Sequence, residues 1–328
     1  MAATPIISAY ENARVIHKVL REYYFAEATQ SEIARQLGIS TSKVNRLLQS
    51  SRQRGMVEVS LHAPYQHLFD LATRLEQTFQ LVDSEVVPCT VEEHRALLSF
   101  LGVVGARYLL EHLQDGDVIA IGGGTTIHAL VEAIQPRRAY KVDVVPAVGG
   151  VQGRATTDVN FLADRLAERL GGRSFHLLAP AFAESPKQRE ELLKMGPIRD
   201  ILNIARGARI ALLGIGTVDP EFSRFVQFTS LSAEDMKQIA THHCGIGEVL
   251  AIIYDRNGNP CAQPFGERVV GLTVEELQAI PLRIGLAGSS AKAAALLGAL
   301  RGRYLHTLIT DESAAEGIME YQTQDQGG

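Results

Sequence analysis

Apolar positions along this chain follow two rhythms. Over the first fifty residues they return at helical spacing; later they come as short runs closed by glycine. Ala13, Ile16, Val19 and Leu20 fall on one face of a first helix. Residues 29–49, TQSEIARQLGISTSKVNRLLQ, carry two more. Thr29 and Glu32 have capping-box spacing, and Ile33, Ala34 and Leu37 form the inward stripe behind them. Gly38 stands where a left-handed residue ends the helix at least cost. Ile39 packs under the turn, Ser40 or Thr41 caps the next helix, and Val44, Leu47 and Leu48 are its inward face. Gly55 closes that helix, and Val57, Val59 and Leu61 alternate as one short strand. His62-Ala63-Pro64 reads as a boundary, because proline disfavours helix in the residue before it. Residues 65–80 return to helical period through Leu68, Leu71, Ala72, Leu75 and Phe79, which predicts a connector or an oligomer contact.

The remaining chain changes grammar. A strand at 117–121 runs into Gly122-Gly123-Gly124-Thr125-Thr126 and then a helix through Leu130 and Ile134. A strand at 210–213 runs into Gly214-Ile215-Gly216-Thr217. A strand at 282–287 runs into Gly288-Ser289-Ser290 and a helix from Ala291 to about Leu300 that carries Lys292. Further buried strands are predicted at 142–145 and 250–254, a last strand at 305–310, and a final helix beginning at Thr310-Asp311-Glu312. Short apolar strands alternating with helices predict an α/β fold with a doubly wound, mostly parallel sheet covered on both faces. The expected organisation is an all-α helix-turn-helix domain over residues 1–61 and an effector-binding and oligomerisation domain over 62–328.

Charge sharpens that division. The net charge of −5 hides a head, residues 1–60, at +3 and a remainder at −8, with five bases and no acid between Arg35 and Arg54. A basic head on an acidic body is the asymmetry of a nucleic-acid-binding unit joined to something else, though a solvated basic helix face has the same composition. Three scattered cysteines exclude a disulfide scaffold and fit a reducing cytoplasm. No apolar stretch approaches the ~18–20 residues that span a bilayer, and the N-terminus lacks the pattern of a signal peptide, so no membrane partner is expected.

In a helix-turn-helix the second helix enters the major groove. Its outward residues here are Thr41, Ser42, Lys43, Asn45 and Arg46. Ser and Thr bond bases or phosphates, Asn suits adenine and Arg suits guanine. Gln30, Ser31 and the preceding helix start are placed to hold a phosphate, and Arg52 and Arg54 to touch the backbone. In the body, ligands of parallel sheets bind where loops gather at the strands' carboxyl ends. Thr125, Thr126, Ser289 and Ser290 supply hydroxyls there. Lys292 puts a cation near a helix start, where the dipole disfavours it, which marks it as a ligand candidate. Together these describe a phosphate or carboxylate pocket. Glu248 and Asp219 lie beside strand ends as acids, bases, sugar-hydroxyl acceptors or helix caps. No P-loop, G-x-G-x-x-G or G-x-S-x-G spacing occurs, and His242-His243-Cys244 has no metal-ligand spacing around it, so no metal or cofactor is expected.

On these stretches, together with VVPAVGGVQG, IGEVLAIIYDRNG and LAGSSAKAAALLGALRGRYLHTLITDE, the chain resembles the SorC family of bacterial sugar-responsive transcriptional regulators over nearly its whole length. The family's ligand domain is similar to sugar-phosphate isomerases of the ribose-5-phosphate isomerase and glucosamine-6-phosphate deaminase type. The resemblance implies that Gly124, Thr125 and Thr126 hold an effector phosphate, with Lys292 as a second anion contact. It implies that Gly149 and Gly150 line the pocket, that Asp158, Asn160 and Glu248 meet sugar hydroxyls, and that Arg224 comes from a loop. Val148 departs from the pattern: some relatives carry Lys or Arg there, and valine offers neither covalent nor ionic contact. Thr41 stands where many relatives carry Arg, so an operator sequence does not carry over.

The implied function is a transcriptional regulator, expected as a repressor, of carbohydrate metabolism genes. Its implied partners are double-stranded operator DNA, a small phosphorylated carbohydrate and a second copy of itself in a homodimer or homotetramer. An isomerase or deaminase with an accessory DNA-binding head is the alternative. It needs a positioned general base, and the catalytic run such isomerases carry is missing, so the chain is not expected to be an enzyme.

Overall fold

The computed structural model describes residues 3–57, 63–88, 94–151, 155–219, 221–223, 233–242 and 245–326. It divides into two compact units, Met1–Pro64 and Tyr65–Gly328.

The first unit is three helices, α1 (Ala3–Tyr24), α2 (Gln30–Leu37) and α3 (Thr41–Gln53). Thr29 closes a full capping box: its hydroxyl accepts from Glu32 N, and the Glu32 carboxylate accepts from Thr29 N at 2.8 Å. Gly38 takes φ 65° and ψ 32°, the left-handed turn that a Cβ would strain. Ser40, rather than Thr41, caps α3 by accepting from Lys43 N. Val19, Ile33, Ala34, Val44 and Leu48 bury the shared core, whereas Ala13 is exposed and Val15 packs in its stead. Of the strand expected at 57–61, all but Val57 lies outside the described residues.

The second unit opens with α4 (Gln66–Phe79), whose Leu68, Leu71, Ala72 and Leu75 are buried. The chain continues through β1 (Asp83–Val87), α5 (His94–His112), β2 (Val118–Ile121), α6 (Thr125–Ala133) and β3 (Asp143–Pro146). Next come α7 (Val159–Leu170), β4 (Arg173–Ser174), α8 (Pro186–Lys194), α9 (Gly196–Arg206), β5 (Ile210–Gly214) and β6 (Gly216–Thr217). Then follow α10 (Ala233–His242), β7 (Gly247–Val249), β8 (Ile252–Tyr254), α11 (Gln263–Gly266) and α12 (Val274–Gln278). Last are β9 (Leu282–Leu286), α13 (Ala293–Arg301), β10 (Thr307–Asp311) and α14 (Glu312–Gln326).

Seven strands form one sheet in the order β1-β10-β9-β5-β2-β3-β4, every neighbouring pair parallel. Alternation within the central strands buries both faces. Ile119, Ile121, Ile210, Leu212, Ile284 and Leu286 point into one core. Ala120, Ala211, Leu213 and Leu308 point into the other. This is the doubly wound α/β architecture expected. At the amino ends of β2 and β5, Arg209 grips Asp117 and donates to His112 O at 2.6 Å, so a half-buried ion pair fixes the edge away from the loops.

The structure corrects two element expectations. Residues 250–254 are not a strand of the main sheet. Ile252–Tyr254 belongs to an antiparallel three-stranded sheet, β6-β7-β8, and Leu250 and Ala251 are its turn. Residues Ser290–Lys292 form a 3-10 turn, so the helix expected from Ala291 begins at Ala293. Strands β1, β4, β6 and β7, and helices α5 and α7 to α12, went unread. Among the described residues no helix is long and apolar enough to cross a membrane.

Candidate functional site

In the helical unit the outer face of α3 is open. Thr41, Ser42, Lys43, Asn45, Arg46 and Gln49 are all exposed. Ser42, Asn45, Arg46 and Gln49 stand at i, i+3, i+4 and i+7, hence on one face. Gln49 was missed in the sequence, although its i+7 spacing from Ser42 announced it. Ser31 is exposed and Gln30 half-buried at the start of α2. Arg52 is exposed and held against Tyr24: its Nε donates to Tyr24 Oη at 2.7 Å and its guanidinium lies 5.8 Å from that ring. The hydroxyl bond raises its pKa, so the group stays charged.

In the α/β unit the glycine loops meet because β2, β5 and β9 are neighbours in the sheet. Gly122 N donates to Leu212 O at 2.9 Å, joining the first loop to β5. Lys292 Nζ donates to Ile215 O at 2.9 Å, joining the third loop to the second. The third is braced by the fully buried Asp311, which accepts from Ser289 N at 2.6 Å and Ser313 Oγ at 2.5 Å.

Around this junction lies a recess of about 90 Å³. Gly122, Gly123, Gly124, Gly149 and Gly214 contribute backbone to it; Val148, Val151, Val159, Ala181, Leu250 and Ala251 are its apolar wall; Thr157 and Glu248 are its polar side chains. Gly124 sits at φ 109° and starts α6 with no side-chain cap, so the helix's positive end borders the recess. Thr125 and Thr126 form that first turn, Thr126 buried and Thr125 half-buried. Gly149 is needed for space: a Cβ there would lie 2.3 Å from Pro180 O. Glu248 reaches in from β7, with Oε2 accepting Ala251 N at 3.3 Å. Burial draws its carboxyl up to about 7, against the opposing pull of the Ala251 N–H and the Lys292 charge.

Not every expected contact faces the recess: Thr125, Thr126, Gly150, Ser289, Ser290 and Lys292 stand beside it and are not among its lining residues. Asp158 caps α7, accepting from Asn160 N and Phe161 N, and also takes Val151 N at 3.0 Å. Asn160 clamps residue 177, accepting Leu177 N at 2.8 Å and donating to Leu177 O. Both therefore hold the backbone beside Gly150, whose Cβ would crowd them at 3.0 and 3.2 Å. Asp219 folds its own turn by accepting Glu221 N. Arg224, His243 and Cys244 lie outside the described residues.

Comparison with known proteins agrees with this division. The family described as "Putative sugar-binding domain" matches residues 63–320, and that described as "Sigma-70, region 4" matches residues 17–54. The deoxyribonucleoside regulator of Bacillus subtilis is 28% identical over 312 residues, covering 94% of this chain and 98% of that protein. The erythritol catabolism regulatory protein EryD of Brucella abortus is 28% identical over 299 residues, covering 90% and 93%. The crystal structure of the full-length sorbitol operon regulator SorC from Klebsiella pneumoniae superposes with a TM-score of 0.71 at 28% identity, covering 93% of this chain and 97% of that one.

Proposed function

The chain belongs to the SorC-type family of sugar-binding transcriptional regulators, and on that premise we propose that it is a DNA-binding regulator of carbohydrate-metabolism genes switched by a small phosphorylated sugar or sugar derivative. One observation carries the reading. Glycines that follow the adjacent strands β3, β2 and β5 converge on a recess bordered by an uncapped helix start, in a chain whose other unit offers an open recognition face.

The proposed roles follow from geometry. Gly124, Thr125 and Thr126 receive the phosphate, since backbone N–H groups and the helix dipole favour an anion there. Lys292 adds its charge from the third loop while bracing the second through Ile215 O. Glu248 accepts sugar hydroxyls, and the valine and alanine wall meets the carbon skeleton. Gly149 and Gly150 let the chain pass close behind it, and Asp158 and Asn160 act by holding that backbone. Arg224 remains a contact proposed from resemblance alone. Thr41, Ser42, Lys43, Asn45 and Arg46 are the proposed base and phosphate contacts of α3, with Gln30, Ser31 and Arg52 on the DNA backbone. One head reads a short site, so a homodimer or homotetramer is the proposed working form. The effector switches DNA binding only if it binds one arrangement of subunits more tightly than another.

The test is a thermal-shift screen against sugars, polyols and their phosphates, followed by operator retardation with each hit. A ligand that binds the folded state raises Tm. Lys292→Ala should abolish the response while leaving ligand-free DNA binding intact; a response at wild-type concentrations would refute the pocket.

A further inference from the structure

The turn that joins β7 to β8 has two residues, Leu250 and Ala251, between the paired Val249 and Ile252. Both take left-handed backbone, at φ 50° and 65°. A two-residue hairpin that needs positive φ at both positions is ordinarily built from Asn-Gly or Gly-Gly, because a branched or methyl side chain is strained there. Leucine and alanine hold these places, and both are 6% exposed, whereas hairpin tips ordinarily face water.

The Leu250 side chain lies against the glycine rim. Both residues line the recess. A Cβ added to Gly122 would meet Leu250 Cδ2 at 3.0 Å, so the leucine lies directly on the first loop. The tip is pinned from behind by Glu248, whose carboxylate accepts Ala251 N at 3.3 Å. Glu248 in turn occupies space that any Cβ on Gly216 would take, at 2.1 Å from its Oε1. Burial of Leu250 and the Glu248 bond hold the tip in; the left-handed backbone pushes it out. Strain of this kind persists where the surroundings over-determine it, and it is concentrated in ligand clamps and switch segments.

We infer that the Leu250–Ala251 turn is a strained plug in the recess, displaced from the glycine rim when the effector enters. This rests on the reading of the recess as the effector site. Opening releases the left-handed backbone and so offsets part of the burial lost by Leu250. The plug also sets which ligands enter, since a ligand must present an apolar edge where Leu250 lay and a hydroxyl where Ala251 N met Glu248. A change that relaxes the closed turn therefore weakens effector binding, because fewer molecules are open. A change that loosens the seat of Leu250 strengthens it.

The experiment uses the full chain as wild type, Ala251→Gly and Leu250→Ala. Each is followed by thermal melting, by hydrogen–deuterium exchange of the peptide 245–255, and by titration with sorbitol, erythritol, ribose 5-phosphate, deoxyribose 5-phosphate, glucose 6-phosphate and inorganic phosphate. Ala251→Gly should raise Tm, slow exchange in the turn without ligand, and raise the half-saturating concentration roughly three- to ten-fold. Leu250→Ala should lower Tm, speed that exchange and lower the half-saturating concentration. In the wild type, the bound ligand should increase exchange at the turn while protecting residues 122–126. Shifts in Tm with half-saturation unchanged in both variants would overturn the plug, as would a turn whose exchange ignores both substitutions. Ligand binding that protects residues 122–126 but leaves the turn untouched would overturn the plug alone. If no ligand of the set binds, the recess as an effector site fails, and the plug with it.

Discussion

Glu248→Gln tests the electrostatics of the recess through stability. The Glu248 carboxyl is raised from an ordinary value of 4.5 to about 7, chiefly by burial. A raised carboxyl favours the folded state while it is protonated. Its contribution is therefore complete below about pH 4.5 and is lost as pH climbs through 7, because over that interval the folded state holds more protons than the unfolded one. A rise of that size corresponds to at most about 3 kcal/mol, trimmed towards about 2 by the water that reaches this half-buried group. Glutamine keeps an acceptor for Ala251 N and cannot ionise. Measured as the difference in Tm between Glu248→Gln and wild type, the effect should be near zero at pH 5 and roughly +4 to +8 °C at pH 8.5. The difference matters because other groups titrate too. Burial lowers His306, which adds stability as pH rises towards 6.5 in both proteins and so cancels. Asp115, Asp117 and Asp164 are held low by their partners and act in acid, outside the interval. A Tm difference that stays flat from pH 5 to 8.5 would refute the claim that the recess raises the Glu248 carboxyl.

Three further outcomes are expected. Arg46→Ala should weaken operator binding by about 1–3 kcal/mol and relax base choice at one position if the side chain reads guanine, and Gln49→Ala should weaken it at a neighbouring position; competitive retardation with single-base operator variants measures both. Ser40→Ala removes the acceptor for Lys43 N and should lower the stability of the helical unit by about 1 kcal/mol, seen in chemical denaturation, with DNA affinity falling in step. Gly149→Ala sets a methyl 2.3 Å from Pro180 O, so the strand-end loop must shift; effector response should be lost while DNA binding persists, and an unaltered response would show that this close approach does not shape the pocket.

Legibility in the sequence followed how local the determining physics is. The helical unit was readable almost residue by residue, because capping boxes, a left-handed glycine and a 3.6-residue stripe are fixed within a few positions of one another. The central strands were readable for a related reason: a strand buried on both faces is a short apolar run whatever it pairs with. That same property misplaced residues 250–254. An apolar run carries no mark of which sheet it joins, and only tertiary packing makes Leu250 and Ala251 tolerate a turn that their own preferences oppose. Strand β1, with Ser84, Glu85 and Val86 in five residues, has too little pattern to stand out, and gains its place from β10.

The recess divides along the same line. The glycine loops could be read, since each follows its own strand, but the wall could not. Thr157, Ala181 and Leu250 come from segments far apart in the chain and meet only because β3 lies beside β2 and the turn of the small sheet reaches Gly122. Polar character alone was a poor guide to what faces a ligand. Asp158 and Asn160 have the right chemistry and the right neighbourhood, yet their hydrogen bonds are committed to Val151, Phe161 and Leu177. Lys292 shows the converse. Its misfit with the helix dipole marked it in the sequence as a group with a purpose, and in the structure it ties the third loop to Ile215 O while its charge reaches Glu248. A residue that opposes its local preference and is still held by the fold is a stronger sign of function than one whose chemistry merely suits a ligand. The same reasoning selects the Leu250–Ala251 turn.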